Sequence, residues 1–293
     1  MTLSPCQTFL SIIYITCMIK ADKYYIENLK KILDENNRDR DARPRYKDGV
    51  EANSLFITQV FEEYDLSKGE FPITTLRNTA IKTGINEILW IYQDQDSNLE
   101  TAHNRKIMWW DDWNVGDGTI GQRYGATIGK WDLLNNLLTG LKDDPFSRRH
   151  IINMLQESDL KQTKGLYPCA YETMYSVREI DGEMFLDMTL NQRSNDYIMA
   201  GYINKIQYVA LQMMIASHLG YKVGKFCHYI QNLHIYDRHI AAAKELLNRE
   251  PLSQQPTLEL KSNLDFYSIT TEDFKISNIE GIQKIKSELE IAI

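Results

Sequence analysis

A chain of 293 residues with 43% hydrophobic, 25% charged and 11% aromatic side chains can bury a large core, as one domain of about 270 residues or two small ones. Its net charge of -7, from 33 basic and 40 acidic residues, disfavours a general nucleic-acid-binding protein, which needs a strong positive field; an anionic ligand must then be held by a local arginine cluster. The four cysteines (Cys6, Cys17, Cys169, Cys227) show no CxxC pair and no metal-ligand spacing, so no metal and a reducing, cytoplasmic compartment are expected.

Phe9 to Met18 is apolar but too short to span a bilayer, and no basic residue precedes it, which argues against a membrane segment or a cleaved secretory signal. Met18 offers a second start of translation. Residues 1–18 therefore read as an extension, and residues 19–293 as a single domain. From Asp22 to Asp34 the apolar residues recur at helical spacing (Tyr25, Ile26, Leu29, Ile32, Leu33). Glu35 to Asn53 is a charged loop with four arginines, Arg38, Arg40, Arg43 and Arg45. It is either a solvated surface loop or an arm that folds over a phosphate.

Ser54 to Leu66 alternates as a strand, Phe71 to Thr75 is a short extended piece, and helical spacing returns from Ala80 to Tyr92. Glu87 sits among these apolar residues, either as an exposed helix residue or as a buried acid with a function. Asp94-Gln95-Asp96 opens like a calcium loop but lacks the glycine, and Arg105 stands at the closing glutamate, so it is rejected. Gly116 to Gly121 matches GxGxxG by letter without strand or helix around it and reads as a turn.

Residues 129–143 read as one helix. After it, Arg148-Arg149 is either surface charge or a bidentate phosphate clamp, since guanidinium geometry matches phosphate oxygens. Pro168-Cys169 places a thiol behind a rigid backbone approach at the start of a strand. A hairpin follows around Asp181-Gly182, then a polar cluster from Asn191 to Asp196 that leads through Gly201 and Asn204 into a helix at Ile206–Leu219. Finally, His234 to His239 alternates as a strand, with His234 and Tyr236 on one face; the histidine there reads as a hydrogen-bonding group rather than a metal ligand.

In order along residues 20 to 293, Glu87-Ile88-Leu89-Trp90, Trp110-Asp111-Asp112-Trp113, Tyr124-Gly125, Ser147-Arg148-Arg149, Pro168-Cys169, Gln192 to Asp196, Asn204 and His234-Ile235-Tyr236 resemble the folate-dependent thymidylate synthases. The resemblance implies an α+β fold in which a large mixed β-sheet is covered by helices, and homodimers whose sheets pack back to back. It implies reductive methylation of dUMP to dTMP with 5,10-methylenetetrahydrofolate as carbon and hydride donor. Cys169 would add to carbon 6 of uracil as a thiolate, its pKa lowered by Arg193.

By the same resemblance, Arg193 and Ser194 of one subunit and Arg148 and Arg149 of the other would grip the phosphate, with Arg43 closing over it, although Arg45 stands close by. His234 and Tyr236 would bind the sugar, and Asn204 would read the uracil edge, favouring dUMP over dCMP. Asp196 would serve both nucleotide and folate. Trp110, Trp113, Leu166, Ala200, Ile203 and Ile293 would line the folate site. Glu87 would organise proton transfer, and Tyr124 would stand at the site of carbon 5 deprotonation.

Some positions depart from the family pattern. Met199-Ala200-Gly201-Tyr202-Ile203 alters the wall facing the folate, and Ala170 replaces the histidine after the nucleophile. Gln231 and Asn232 replace a Gly-Asp pair, and Leu76 replaces a lysine that meets the folate tail. The alternatives are a pyrimidine nucleotide hydroxymethylase of the same fold and an inactive relative that binds nucleotide or RNA. Trp110 and the apolar C-terminus favour hydride transfer over the former by excluding water; intact Cys169, Glu87, Tyr124 and Asn204 argue against the latter.

Overall fold

A computed structural model describes residues 18–293; residues 1–17, most of the expected extension, lie outside the described residues. The chain opens with α1 (Lys20–Glu35), which buries Tyr25, Leu29 and Ile32 on one stripe and stops at Asn36 in the left-handed region, φ 51°. A two-residue strand, β1 (Asn37–Arg38), and the arginine loop lead to β2 (Ser54–Asp65). Helix α2 (Ile81–Leu89) runs into a π-helical turn at Trp90–Asp94, and α3 (Leu99–Asn104) follows.

The expected helix over residues 129–143 is two helices, α4 (Gly125–Lys130) and α5 (Leu133–Asp143). Asp132 between them is left-handed, φ 49°, which ends the helical run. The break lets Lys130 Nζ and the Trp131 indole both reach Asp159, at 2.5 and 3.1 Å. Strand β3 (Ile151–Asn153) and α6 (Glu157–Gln162) precede the hairpin of β4 (Ala170–Ile180) and β5 (Glu183–Gln192). After the short β6 (Asn195–Asp196), helix α7 (Gly201–Leu219) starts a turn earlier than its apolar run suggests.

Strand β7 spans Lys222–Tyr236, so the alternation read at 234–239 is its last turn only. Asp237–His239 is a 3-10 turn into α8 (Ile240–Leu247); the Asp237 backbone N–H still donates to the Asn53 carbonyl at 2.9 Å, and its carboxylate accepts the Tyr46 hydroxyl. A small antiparallel pair, β8 (Thr257–Leu260) and β9 (Phe274–Ser277), closes the described secondary structure.

The large sheet runs β1-β2-β7-β5-β4-β3, with β6 beside β7. Its neighbours are antiparallel except β5–β7 and β6–β7, making a mixed sheet in an α+β chain. A parallel pair requires a crossover, and α7 provides it, lying on the sheet with buried residues on nearly every face. Leu186, Met188 and Leu190 of β5 and Phe226, His228 and Ile230 of β7 point into this core. On the opposite face, Phe61 and Met174 are exposed.

One buried ion pair ties helix to sheet. Lys205 of α7 lies 2.7 Å from Glu62 of β2, both fully buried. Glu62 also accepts from Tyr64, Tyr197 and Asn28, at 2.7, 3.2 and 3.0 Å, so no lone pair of the carboxylate is left to face apolar core alone.

Candidate active site

Cys169 stands where the loop Leu166–Pro168 enters β4. A bulge in the β4–β5 register between Ala170 and Glu172 bends the strand immediately after the thiol, re-aiming its side chain. Arg193 lies across from it at the end of β5: its backbone N–H donates to the Cys169 carbonyl at 2.9 Å. The guanidinium donates to Cys169 Sγ at 3.5 Å and to the carbonyls of Pro168 and Tyr167 at 3.0 and 2.6 Å.

Arg193 acts on the thiol in the expected direction, but the expected net lowering of its pKa is corrected. Burial pushes the Cys169 thiol up, and the nearby charges of Arg193 and Arg43, which favour thiolate, offset this only in part. Tyr124 leans on the same residue, its hydroxyl accepting the Cys169 backbone N–H at 3.2 Å. Burial raises this phenol's pKa, so it is a neutral hydroxyl. The Tyr124 backbone, φ 46° and ψ -114°, is in a region that side-chain-bearing residues rarely adopt, a strain held in place by packing on Trp110 at 5.1 Å between ring centres.

Glu87 of α2 is buried beneath this cluster. Burial raises its carboxyl to about 7, and the Trp109 indole opposes this by favouring the ionised form. The Trp109 indole donates to it directly. Trp110 packs on Trp113 at 5.4 Å, and its buried indole N–H has no hydrogen-bond partner. Leu166, Ala200 and Ile203 are each half-buried.

A cavity of about 370 Å³ opens at the other end, lined by Arg38, Pro44, Ser194, Asn232, His234 and Tyr236 among others. Burial lowers the pKa of His234, keeping the imidazole neutral, and Asn232 meets its Nδ1 at 3.1 Å. Burial raises that of Tyr236. Asp196 accepts the backbone N–H groups of Ile198 and Met199, both at 3.1 Å, and so shapes the turn into α7.

The two loop arginines part company. Arg45 turns into its own loop, donating to backbone carbonyls and pairing with Glu51 at 3.3 Å. Its backbone pairs with Ile293 in both directions, at 2.7 and 3.0 Å, bringing that residue to the loop. Arg43 is exposed, and among the described residues its guanidinium has no hydrogen-bond or ion-pair partner. Arg148 and Arg149 are likewise exposed without such partners among the described residues, between α5 and the edge strand β3, and they join none of the contacts around Cys169.

Asn204, on the first turn of α7, is flanked by Gln192 and Gln207 at 3.0 and 2.9 Å. Trp109, Gln207 and His228 escape the sequence reading. Gln207 is one helical turn from Asn204, a spacing that would have flagged it. Among the described residues, no group of three or more His, Cys, Asp or Glu is placed to hold a metal ion, and no helix is long and apolar enough to cross a membrane.

Comparison with known proteins adds three findings. The family model described as thymidylate synthase matches residues 23–291. Thymidylate synthases of Streptococcus pneumoniae (strain 70585) and Streptococcus gordonii are each 51% identical over 279 residues, 94% of this chain and 100% of theirs. The solved structure of the thermostable thymidylate synthase A from Bacillus subtilis superposes with a TM-score of 0.83 at 33% identity, over 93% of this chain and 99% of that one.

Proposed function

Because this chain belongs to the thymidylate synthase family, whose members are methyltransferases that convert dUMP to dTMP, we propose that Cys169 carries that reaction as its nucleophile. The observation that supports this is the Arg193 guanidinium 3.5 Å from Cys169 Sγ, in a cleft shared with Tyr124 and ringed by the indoles around Glu87.

In this reading dUMP lies with its sugar on His234 and Tyr236 and its phosphate on Arg193, Ser194 and Arg43. The guanidiniums of Arg193 and Arg43 offset the charge of the arriving dianion, while the base covers the thiol. Cys169, as thiolate, adds to carbon 6, and the carbon 5–carbon 6 π electrons move toward carbon 5 and the ring carbonyl. Asn204, offering one N–H and one lone pair to the ring edge, stabilises that charge as it forms. Carbon 5 then bonds to the incoming one-carbon unit and loses its proton to a water held near Tyr124 and Glu87; the bond from that carbon to the folate nitrogen breaks, a hydride from the tetrahydrofolate so released reduces the exocyclic carbon, and the thiolate leaves carbon 6 as dihydrofolate forms. Methylenetetrahydrofolate supplies the carbon and the hydride, and Trp110, Trp113, Leu166, Ala200, Ile203, Asp196 and Ile293 would hold it. Glu87, with a carboxyl near 7, exchanges protons at the working pH.

The phosphate clamp is completed by a second subunit. The open sheet face carrying Phe61 and Met174, and Arg148 and Arg149, which have no side-chain partners among the described residues, support a homodimer in which each chain lends these arginines to the other's site. A cytoplasmic location fits a nucleotide and a reduced folate as substrates.

The test mixes purified enzyme with dUMP and methylenetetrahydrofolate, following dihydrofolate by absorbance and the nucleotide by mass. Dihydrofolate and dTMP in equal amounts are expected. Hydroxymethyl-dUMP with tetrahydrofolate would overturn the hydride step and move the chain to the hydroxymethylase reading.

A further inference from the structure

The amide of Asn204 is held at both ends. Gln192 Nε2 donates to its oxygen at 3.0 Å, and its nitrogen donates to Gln207 Oε1 at 2.9 Å. The polarity of this chain is set by one group that cannot reverse. Gln192 Nε2 also donates to the backbone carbonyl of Ser194 at 2.9 Å, and a carbonyl only accepts. The other end of Gln192 is therefore its oxygen, which receives Asn195 Nδ2 at 3.1 Å and His228 Nε2 at 2.8 Å.

His228 must then carry its hydrogen on Nε2. Its Nδ1, buried, has no hydrogen-bond partner, as a bare lone pair in the neutral ring would leave it. The ring is fully buried, and Gln192 and Gln207 are each 2% exposed, so bulk water cannot replace a lost partner. Burial together with the charge of Lys205 disfavours the imidazolium.

We propose that His228 is a positioning residue for base recognition: by donating to Gln192 it reinforces the orientation that the Ser194 carbonyl sets, and so steadies which way round Asn204 presents its amide to the pyrimidine. The inference rests on the reading that Asn204 contacts the base. With the amide held this way, its free lone pair accepts a ring N–H and its free N–H donates to the neighbouring carbonyl, the pattern of uracil. Reversed, it would suit a bare ring nitrogen beside an amino group, the pattern of cytosine. Without the His228 donor, Gln192 is held only by the Ser194 carbonyl and by Asn195, and the glutamine and Asn204 are more loosely placed.

The test compares wild type, His228→Leu, His228→Gln and Asn204→Ala for turnover of dUMP and for inhibition by dCMP. In His228→Leu the KM for dUMP should rise about tenfold, and the preference for dUMP over dCMP should fall by a similar factor, with kcat changed by less than about threefold. His228→Gln, whose amide N–H can still donate to Gln192, should recover most of the preference. Loss of preference in Asn204→Ala but not in His228→Leu would overturn the role of His228 alone. Full preference in Asn204→Ala would instead overturn the base-reading role on which it rests. If His228→Leu does not fold, nitrogen-15 NMR of histidine-labelled wild type decides. A neutral ring protonated on Nε2 is expected at neutral pH, and an imidazolium or an Nδ1–H ring would overturn the proposal.

Discussion

Arg193 meets Cys169 twice, its backbone N–H on the cysteine carbonyl at 2.9 Å and its guanidinium on the sulfur at 3.5 Å. The first contact is the end of a strand ladder and fixes the second. The cation that favours thiolate is therefore positioned by the sheet, whereas burial of the same thiol works against ionisation. Removing the cation should leave burial unopposed at short range. Arg193→Met is expected to raise the thiol pKa further, slowing alkylation by iodoacetamide at pH 8 several-fold; an unchanged rate would show that Arg193 has no hold on the thiol.

Cys169→Ser keeps the size of the side chain and removes the nucleophile. Turnover should fall by at least about a thousandfold, while dUMP affinity measured by calorimetry stays within a few-fold. Surviving turnover would place the nucleophile elsewhere.

Glu87 has its carboxyl raised to about 7 by burial, against 4.5 for the free group. The folded state then binds more protons than the unfolded one between these pH values, so stability falls as pH rises through the window. Glu87→Gln, which keeps an acceptor for the Trp109 indole, should melt higher than wild type at pH 8, by the equivalent of about 3 kcal/mol at most. The gap should close below about pH 4.5. Its activity should drop about a hundredfold or more, and the limb of the wild-type pH–rate profile near pH 7 should vanish.

The proposal that each subunit lends arginines to the other's site predicts complementation. Arg148→Ala should raise the KM for dUMP without changing the melting temperature, and Cys169→Ser is inactive alone. Unfolded and refolded together, the two variants form hybrids in which one site has an intact thiol and an intact borrowed arginine. Activity of the mixture at low dUMP should exceed the sum of the parts; a simple average would mean that each chain uses its own arginines.

Lys205→Met leaves Glu62 charged and buried among tyrosines, which costs about 3–5 kcal/mol. Adding Glu62→Leu should return much of that loss, because no unpaired charge then remains. Urea melts of the single and double variants measure the difference.

Much of this architecture is legible in local sequence. Periodicity marks α1 and α2, and Asp181-Gly182 marks the β4–β5 hairpin. The thiol, its arginine and the asparagine stand in short motifs that name their chemistry. What escapes depends on partners far along the chain. The break at Trp131-Asp132 answers to Asp159, and the carboxylate of Asp237, just past β7, is held by Tyr46, 191 residues away. His228 and Gln207 look like ordinary polar residues until the strand and helix place both in the interior beside Asn204. The choice between Arg43 and Arg45 is equally invisible, since it is made by the backbone pairing of Arg45 with Ile293.

The grouping of indoles around the carboxyl of Glu87 gives the protein a built-in optical reporter. Four of the five tryptophans, Trp90, Trp109, Trp110 and Trp113, surround one end of the cleft. A ligand stacking there, or a proton arriving on Glu87, changes the surroundings of most of the emitting groups at once. Intrinsic fluorescence should therefore titrate with a midpoint near pH 7 that Glu87→Gln abolishes, and it should quench as a ligand stacks on the indoles. The occupancy of the cleft can be followed in light from the unlabelled chain.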